Sequence, residues 1–74
     1  MYQVSWLNKR GAGCVSVFTD EDVLEFFVSN LRREATIRDE SNRIIGGVKR
    51  DGRKWIWWFE SKSVTRIGNG EREG

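Results

Sequence analysis

The chain has 74 residues, 38% of them hydrophobic, 12% aromatic and 32% charged, with a formal net charge of +2. That length allows one domain built on a thin core of large side chains, and the composition excludes a disordered chain. The small charge excludes the strongly basic histone-like class but leaves room for a local basic patch.

Residues 2–8 alternate, with Tyr2, Val4 and Trp6 on one side and Gln3 and Ser5 on the other, the period-two pattern of a half-buried strand. Lys9, Arg10, Gly11, Ala12 and Gly13 form a glycine-bearing basic turn, and alternation resumes over residues 14–18, so the two runs are expected to pair as a hairpin. Thr19 precedes Asp20, Glu21 and Asp22, which predicts a helix capped by the Thr19 hydroxyl, with carboxylates at the positive end of its dipole. Phe18 and Val23 are placed to close a hydrophobic staple across that start. Leu24, Phe27, Val28 and Leu31 recur at helical spacing and mark the buried face. The helix is expected to end near Arg33 or Glu34, where cations suit the dipole.

Two further strands follow, over residues 35–39 and 43–50, separated by the turn formers Asp39 to Asn42. The Gly46-Gly47 pair in the second suggests a bulge, or a site where a tryptophan ring lies against backbone. Asp51-Gly52 is a preferred pair for a two-residue type I′ turn, so residues 54–60 should fold back as a fifth strand. Residues 61–74 read as a polar, glycine-rich flexible tail.

The fold class expected is therefore α+β: a single domain over residues 1–60, an antiparallel sheet of about five strands in the order ββαβββ with one helix on one face. Neither a signal peptide nor a membrane span is visible, and one cysteine fits a reducing compartment, so a soluble, cytoplasmic protein is expected.

Residues 47–54 come close to a phosphate-binding loop but place Arg53 and Lys54 where lysine and a hydroxyl residue belong. They also run into a strand-like segment instead of opening a helix. The acidic cluster Asp20, Glu21, Asp22 and Glu25 lies on one helical turn, which splays carboxylates and serves capping better than metal binding. The chain has no histidine, so the usual general base near neutral pH is missing, and Cys14 reads as a small buried hydrophobe in the second strand. No catalytic residue, metal or cofactor is implied, and the chain is read as non-enzymatic.

The remaining feature is a basic and aromatic hairpin. Lys49, Arg50, Arg53 and Lys54 surround its turn, Trp55, Trp57 and Trp58 follow, and Lys9 and Arg10 supply a second basic turn. A cationic β-ribbon can enter a groove or follow a phosphate backbone, and flanking rings offer bases a stacking platform. Trp55, Trp57 and Phe59 face one side of the last strand, Ile56 and Trp58 the other, and one helix covers only one of them. The expectation is a nucleic-acid-binding or regulatory protein. The alternatives are a protein-interaction module, such as a small inhibitor or accessory subunit with the tryptophans as anchors, or a homodimer sealed through the aromatic face.

Overall fold

A computed structural model of the chain describes residues 1–60 and 65–69. The elements are β1 (Tyr2–Leu7), β2 (Gly13–Phe18), α1 (Glu21–Asn30), β3 (Ala35–Asp39), β4 (Ile44–Asp51), β5 (Lys54–Glu60) and β6 (Thr65–Asn69). All six strands form one antiparallel sheet in the order β2-β1-β3-β4-β5-β6, with the helix on one face. The fold is α+β as expected, with one strand more. That strand, β6, lies within the stretch read as tail; residues 61–64 and 70–74 are outside the described residues.

The core is the layer between helix and sheet. Val4, Leu24, Val28, Ile37 and Phe59 are fully enclosed, with Ile45, Val48 and Trp57 beside them. Phe27 and Leu31 pack on this cluster from the helix, so its inward face is the one the spacing predicts. Phe27 meets Phe18 at 4.9 Å and Trp6 at 5.5 Å between ring centroids, and Tyr2 meets Phe59 edge-on at 5.4 Å, separations at which aromatic pairs attract beyond their burial.

The helix begins one residue later than predicted. Asp20, not Thr19, is the N-cap: its backbone is extended and its carboxylate accepts from the amides of Asp22 and Val23 at 2.7 and 3.2 Å. Both residues are good caps, and a carboxylate at this end also meets the helix dipole favourably. The staple spacing shifts with it. Val23 lies on the exposed flank, where it lines a groove with Phe18. The helix ends at Asn30 instead of near Arg33, with Leu31 extended at the C-cap.

The double glycine of β4 does mark a bulge. The register with β3 slips between Ile37 and Arg38, so that Ile37 faces Gly46 and Arg38 faces Ile44, leaving Ile45 as the extra residue. A side chain at Gly46 would stand 2.5 Å from the Trp58 carbonyl, and one at Gly47 would stand 2.9 Å from the Ala35 carbonyl and 3.6 Å from the Trp58 indole nitrogen. Close approach of neighbouring backbone therefore accounts for both positions, with a ring involved only at Gly47.

The β4–β5 turn also differs from the one predicted. Asp51 pairs with Lys54, so Gly52 and Arg53 are the two loop residues, and Gly52 alone of these has positive φ, 65°. Glycine first among two loop residues is the type II′ pattern, which follows the twist of the strands as well as type I′ does. The expected hairpin is present with its turn moved by one residue.

Candidate functional site

Strand direction decides where the charges lie. β1 and β4 run one way and β2, β3 and β5 the other. The β1–β2 loop and the β4–β5 turn therefore fall at the same end of the sheet. The helix leaves the opposite end of β2 and returns to this one, where the 31–34 link enters β3. Lys9 and Arg10, Arg32 and Arg33, and Lys49, Arg50, Arg53 and Lys54 thus converge from three parts of the chain, with Glu34 and Asp51 the only acids among those segments. Among the described residues, none of these cations forms an ion pair. Two make local bonds: Arg32 donates to the Ser29 carbonyl at 3.2 Å, and Arg50 donates to the Gly52 carbonyl at 2.9 Å.

The hairpin tip extends beyond its neighbours. β3 pairs with β4 only as far as Val48, and β6 pairs with β5 only as far as Ile56. The pairs Arg50 with Trp55 and Asp51 with Lys54, and the turn beyond them, have no strand beside them among the described residues. At 3.4 Å per residue those two pairs project about 7 Å past the described residues of β3 and β6 as a two-stranded ribbon. Arg50 lies on the helix side of this ribbon with its guanidinium 6.0 Å from the Trp55 ring centre, at the outer limit of a cation–π contact. Lys49 and Lys54 pair with residues of the opposite, open face.

The three tryptophans of β5 separate into different roles. Trp57 is 6% exposed and belongs to the core, its ring lying against Gly68 of β6, where a side chain would collide with it. It is not available to a ligand, which corrects the inclusion of Trp57 among the binding residues. Trp55 is half-buried at the base of the ribbon, on the helix face. Trp58 is half-buried on the open face, between Gly47 and Ile67 and beside Lys49 and Ile56. No described element covers that face.

Lys9 and Arg10 are exposed on a five-residue loop held by Asn8, whose side-chain oxygen accepts from the amides of Arg10 and Ala12 at 2.8 and 3.0 Å, with Gly11 at φ 80°. The loop is an ordered mount for two cations. Cys14 is half-buried, more accessible than the enclosed position expected of it.

The other end of the sheet holds most of the acids, and they are engaged by the fold. Asp20 caps the helix. Glu21 accepts the Tyr2 hydroxyl at 2.7 Å, and Arg66 of β6 reaches Glu25 at 2.7 Å, Asp22 at 3.7 Å and Glu21 at 4.0 Å. Asp39 accepts from the amides of Ser41 and Arg43 and so shapes the β3–β4 turn. The Tyr2 hydroxyl is held above the usual tyrosine range, first by its hydrogen bond to Glu21, then by burial and the negative charges of Glu21 and Glu40. The acidic helix start thus has a structural role in capping and in tying β6 to the helix.

The convergence of the basic segments was not legible from residue order, because it depends on strand directions. Arg32 and Arg33, read only as helix-terminal residues, belong to the same end. No described helix is long and apolar enough to cross a membrane. No protein-family model, curated protein or solved structure matches this chain.

Proposed function

We propose that this chain is a non-enzymatic, intracellular nucleic-acid-binding protein that uses the basic end of its sheet, with the β4–β5 ribbon as the leading element. The observation that carries this reading is the hairpin tip: a two-stranded ribbon that projects past the described residues of both neighbouring strands, with Lys49, Arg50, Arg53 and Lys54 around it. A two-stranded ribbon fits the major groove of duplex DNA, about 12 Å wide, and phosphate contacts from lysine and arginine supply most of the affinity of such binders. Lys9, Arg10, Arg32 and Arg33 extend the field along the same end. Trp58, on the open face beside Lys49, offers a surface on which an unpaired base stacks.

The experiment is a salt-titrated binding assay with single- and double-stranded DNA and RNA oligonucleotides, comparing the wild type with Arg50→Glu/Arg53→Glu. The reading expects salt-dependent binding, and a salt slope reduced by about two in the variant if each arginine meets one phosphate. No salt-dependent affinity in the wild type, or undiminished affinity in the variant, removes it.

A protein-interaction role is the second reading, favoured by the open sheet face. There Leu7, Val15, Val17, Ile44 and Ile67 are exposed, with Ile56 and Trp58 half-buried among them. Apolar surface of this kind marks interaction sites. Loss of a protein partner on Trp58→Ala, with nucleic-acid binding absent, would favour it over the first.

A further inference from the structure

β2 is an edge strand without the usual protection. Natural edges are blunted by lysine, proline, bulges or short length. Here six residues, Gly13–Phe18, carry no charge and no proline, and their pairing with β1 has no register shift. Their other side faces no described strand. The surfaces flanking this edge are apolar on both faces of the sheet. On the open face Val15 and Val17 are 62% and 52% exposed. On the helix face a groove runs between Phe18 and the near flank of α1, lined by Val23, Phe26 and Phe27, and Phe26 is 73% exposed. The far flank of the helix, with Glu21 and Glu25, is turned toward Arg66 of β6 instead.

We propose that a second copy of this chain occupies the edge, β2 pairing antiparallel with β2 about a two-fold axis to make one continuous twelve-stranded sheet. Directly opposite residues of an antiparallel pair point to the same face. A symmetric register centred on Ser16 therefore sets Val15 opposite the second copy's Val17 and joins four valines on the open face. Cys14 then faces the second copy's Phe18 on the helix side, beneath the two Phe26 rings. No like charges meet along the strand.

Charge selects this occupant over an arbitrary strand. The antiparallel arrangement brings the basic end of each copy to the acidic end of the other. The Lys9–Arg10 loop beside the start of β2 is placed at the end of the seam where the second copy's β2 runs into the exposed Asp20 and Asp22. The contact occurs twice by symmetry, and such complementarity orients association. The surface is self-complementary in both shape class and sign, as a two-fold interface must be.

The test is sedimentation equilibrium on the pure 74-residue chain over a range of concentrations, in low and high salt. The expected result is twice the 8.6 kDa chain mass, with a dimer constant weakened by salt. Val15→Lys/Val17→Lys sets four lysines together in the seam on side chains already exposed, and should give a folded monomer by circular dichroism. Lys9→Glu/Arg10→Glu places acid against acid and should weaken the dimer at low salt only. A wild type that stays monomeric at hundreds of micromolar overturns the proposal. So does a dimer that survives Val15→Lys/Val17→Lys, and should that variant unfold, a dimer indifferent to Lys9→Glu/Arg10→Glu and to salt overturns it equally.

Discussion

The two ends of the sheet hold charges of opposite sign and use them differently. At the acidic end nearly every carboxylate has a structural partner: Asp20 the first helical amides, Glu21 the Tyr2 hydroxyl, Glu25 Arg66, Asp39 the turn amides. At the basic end eight cations stand on turns, links and strand ends with no carboxylate paired to them among the described residues. Charges of one end are part of how the chain folds, and charges of the other remain open to something outside it. A clustered set of cations costs repulsion and contributes little to folding, and that imbalance is what the proposed nucleic-acid reading rests on.

The sharpest contrast lies in the aromatic residues that anchor each end. Phe59, fully enclosed and edge-on to Tyr2, sits under the acidic end, whereas half-buried Trp55 sits under the basic ribbon. Phe59→Ala is expected to cost about 3–5 kcal/mol, the range for emptying an enclosed aromatic site. Trp55→Ala should cost clearly less, because part of its surface is already in water and the ribbon above it supports no neighbouring strand. Denaturant unfolding measures both, and equal losses would show that the ribbon is as much a part of the core as the acidic end.

Helix capping gives a smaller effect at a single atom. Asp20→Ala should cost about 1 kcal/mol, as two amide donors lose their acceptor. Thr19→Ala and Arg53→Glu should each stay within about 0.5 kcal/mol, as exposed surface changes do. If Thr19→Ala is the more damaging of the two helix-start substitutions, the helix begins where its sequence alone suggests.

That pairing also shows what could be read from residue order. The bounds of β5 and β3 and the inward face of α1 followed from alternation and spacing, because each is a property of neighbouring residues. The choice between Thr19 and Asp20 depends on where β2 releases the chain, and the turn at Gly52 and Arg53 depends on register, which a one-residue shift changes. β6 was the largest omission. Thr65–Asn69 offers little apolar surface of its own, and its strand rests on remote features: the Trp57 ring against Gly68, and Arg66 reaching the helix acids. The cationic hairpin was visible from the start, but its company at the basic end depends on strand order.

Arg66 links the acidic end to β6, and its removal tests that link. Its pairs with Glu25, Asp22 and Glu21 are partly solvated, so Arg66→Ala should cost on the order of 1 kcal/mol or less, and the loss should shrink with added salt. Hydrogen exchange in β6 is the local measurement. Faster exchange of the β6 amides, with β3 unaffected, is expected; unchanged exchange would mean that strand pairing and the Trp57 contact hold β6 without the ion pairs.

The smallest expected effect is also the most specific to the acidic end. The Tyr2 hydroxyl donates to Glu21, and its ionisation is held above the usual value near 10 by that bond, by burial and by the charges of Glu21 and Glu40. The anionic form is the one disfavoured in the folded state, since it would lose its donor and face a carboxylate. The contribution to stability is therefore fully present below about pH 10, the unfolded value, and is lost as pH rises through the higher folded value. Tyr2→Phe keeps the edge-on ring contact with Phe59 but removes the titration. Stability measured from pH 8 upward should show the wild type above the variant below about pH 10, with the difference shrinking as pH rises beyond it. All other side chains are common to both proteins, and their contributions cancel in the difference. Curves that stay parallel would mean that Glu21 and Tyr2 do not interact in solution, and the acidic end would lose one of the contacts that set it apart from the basic one.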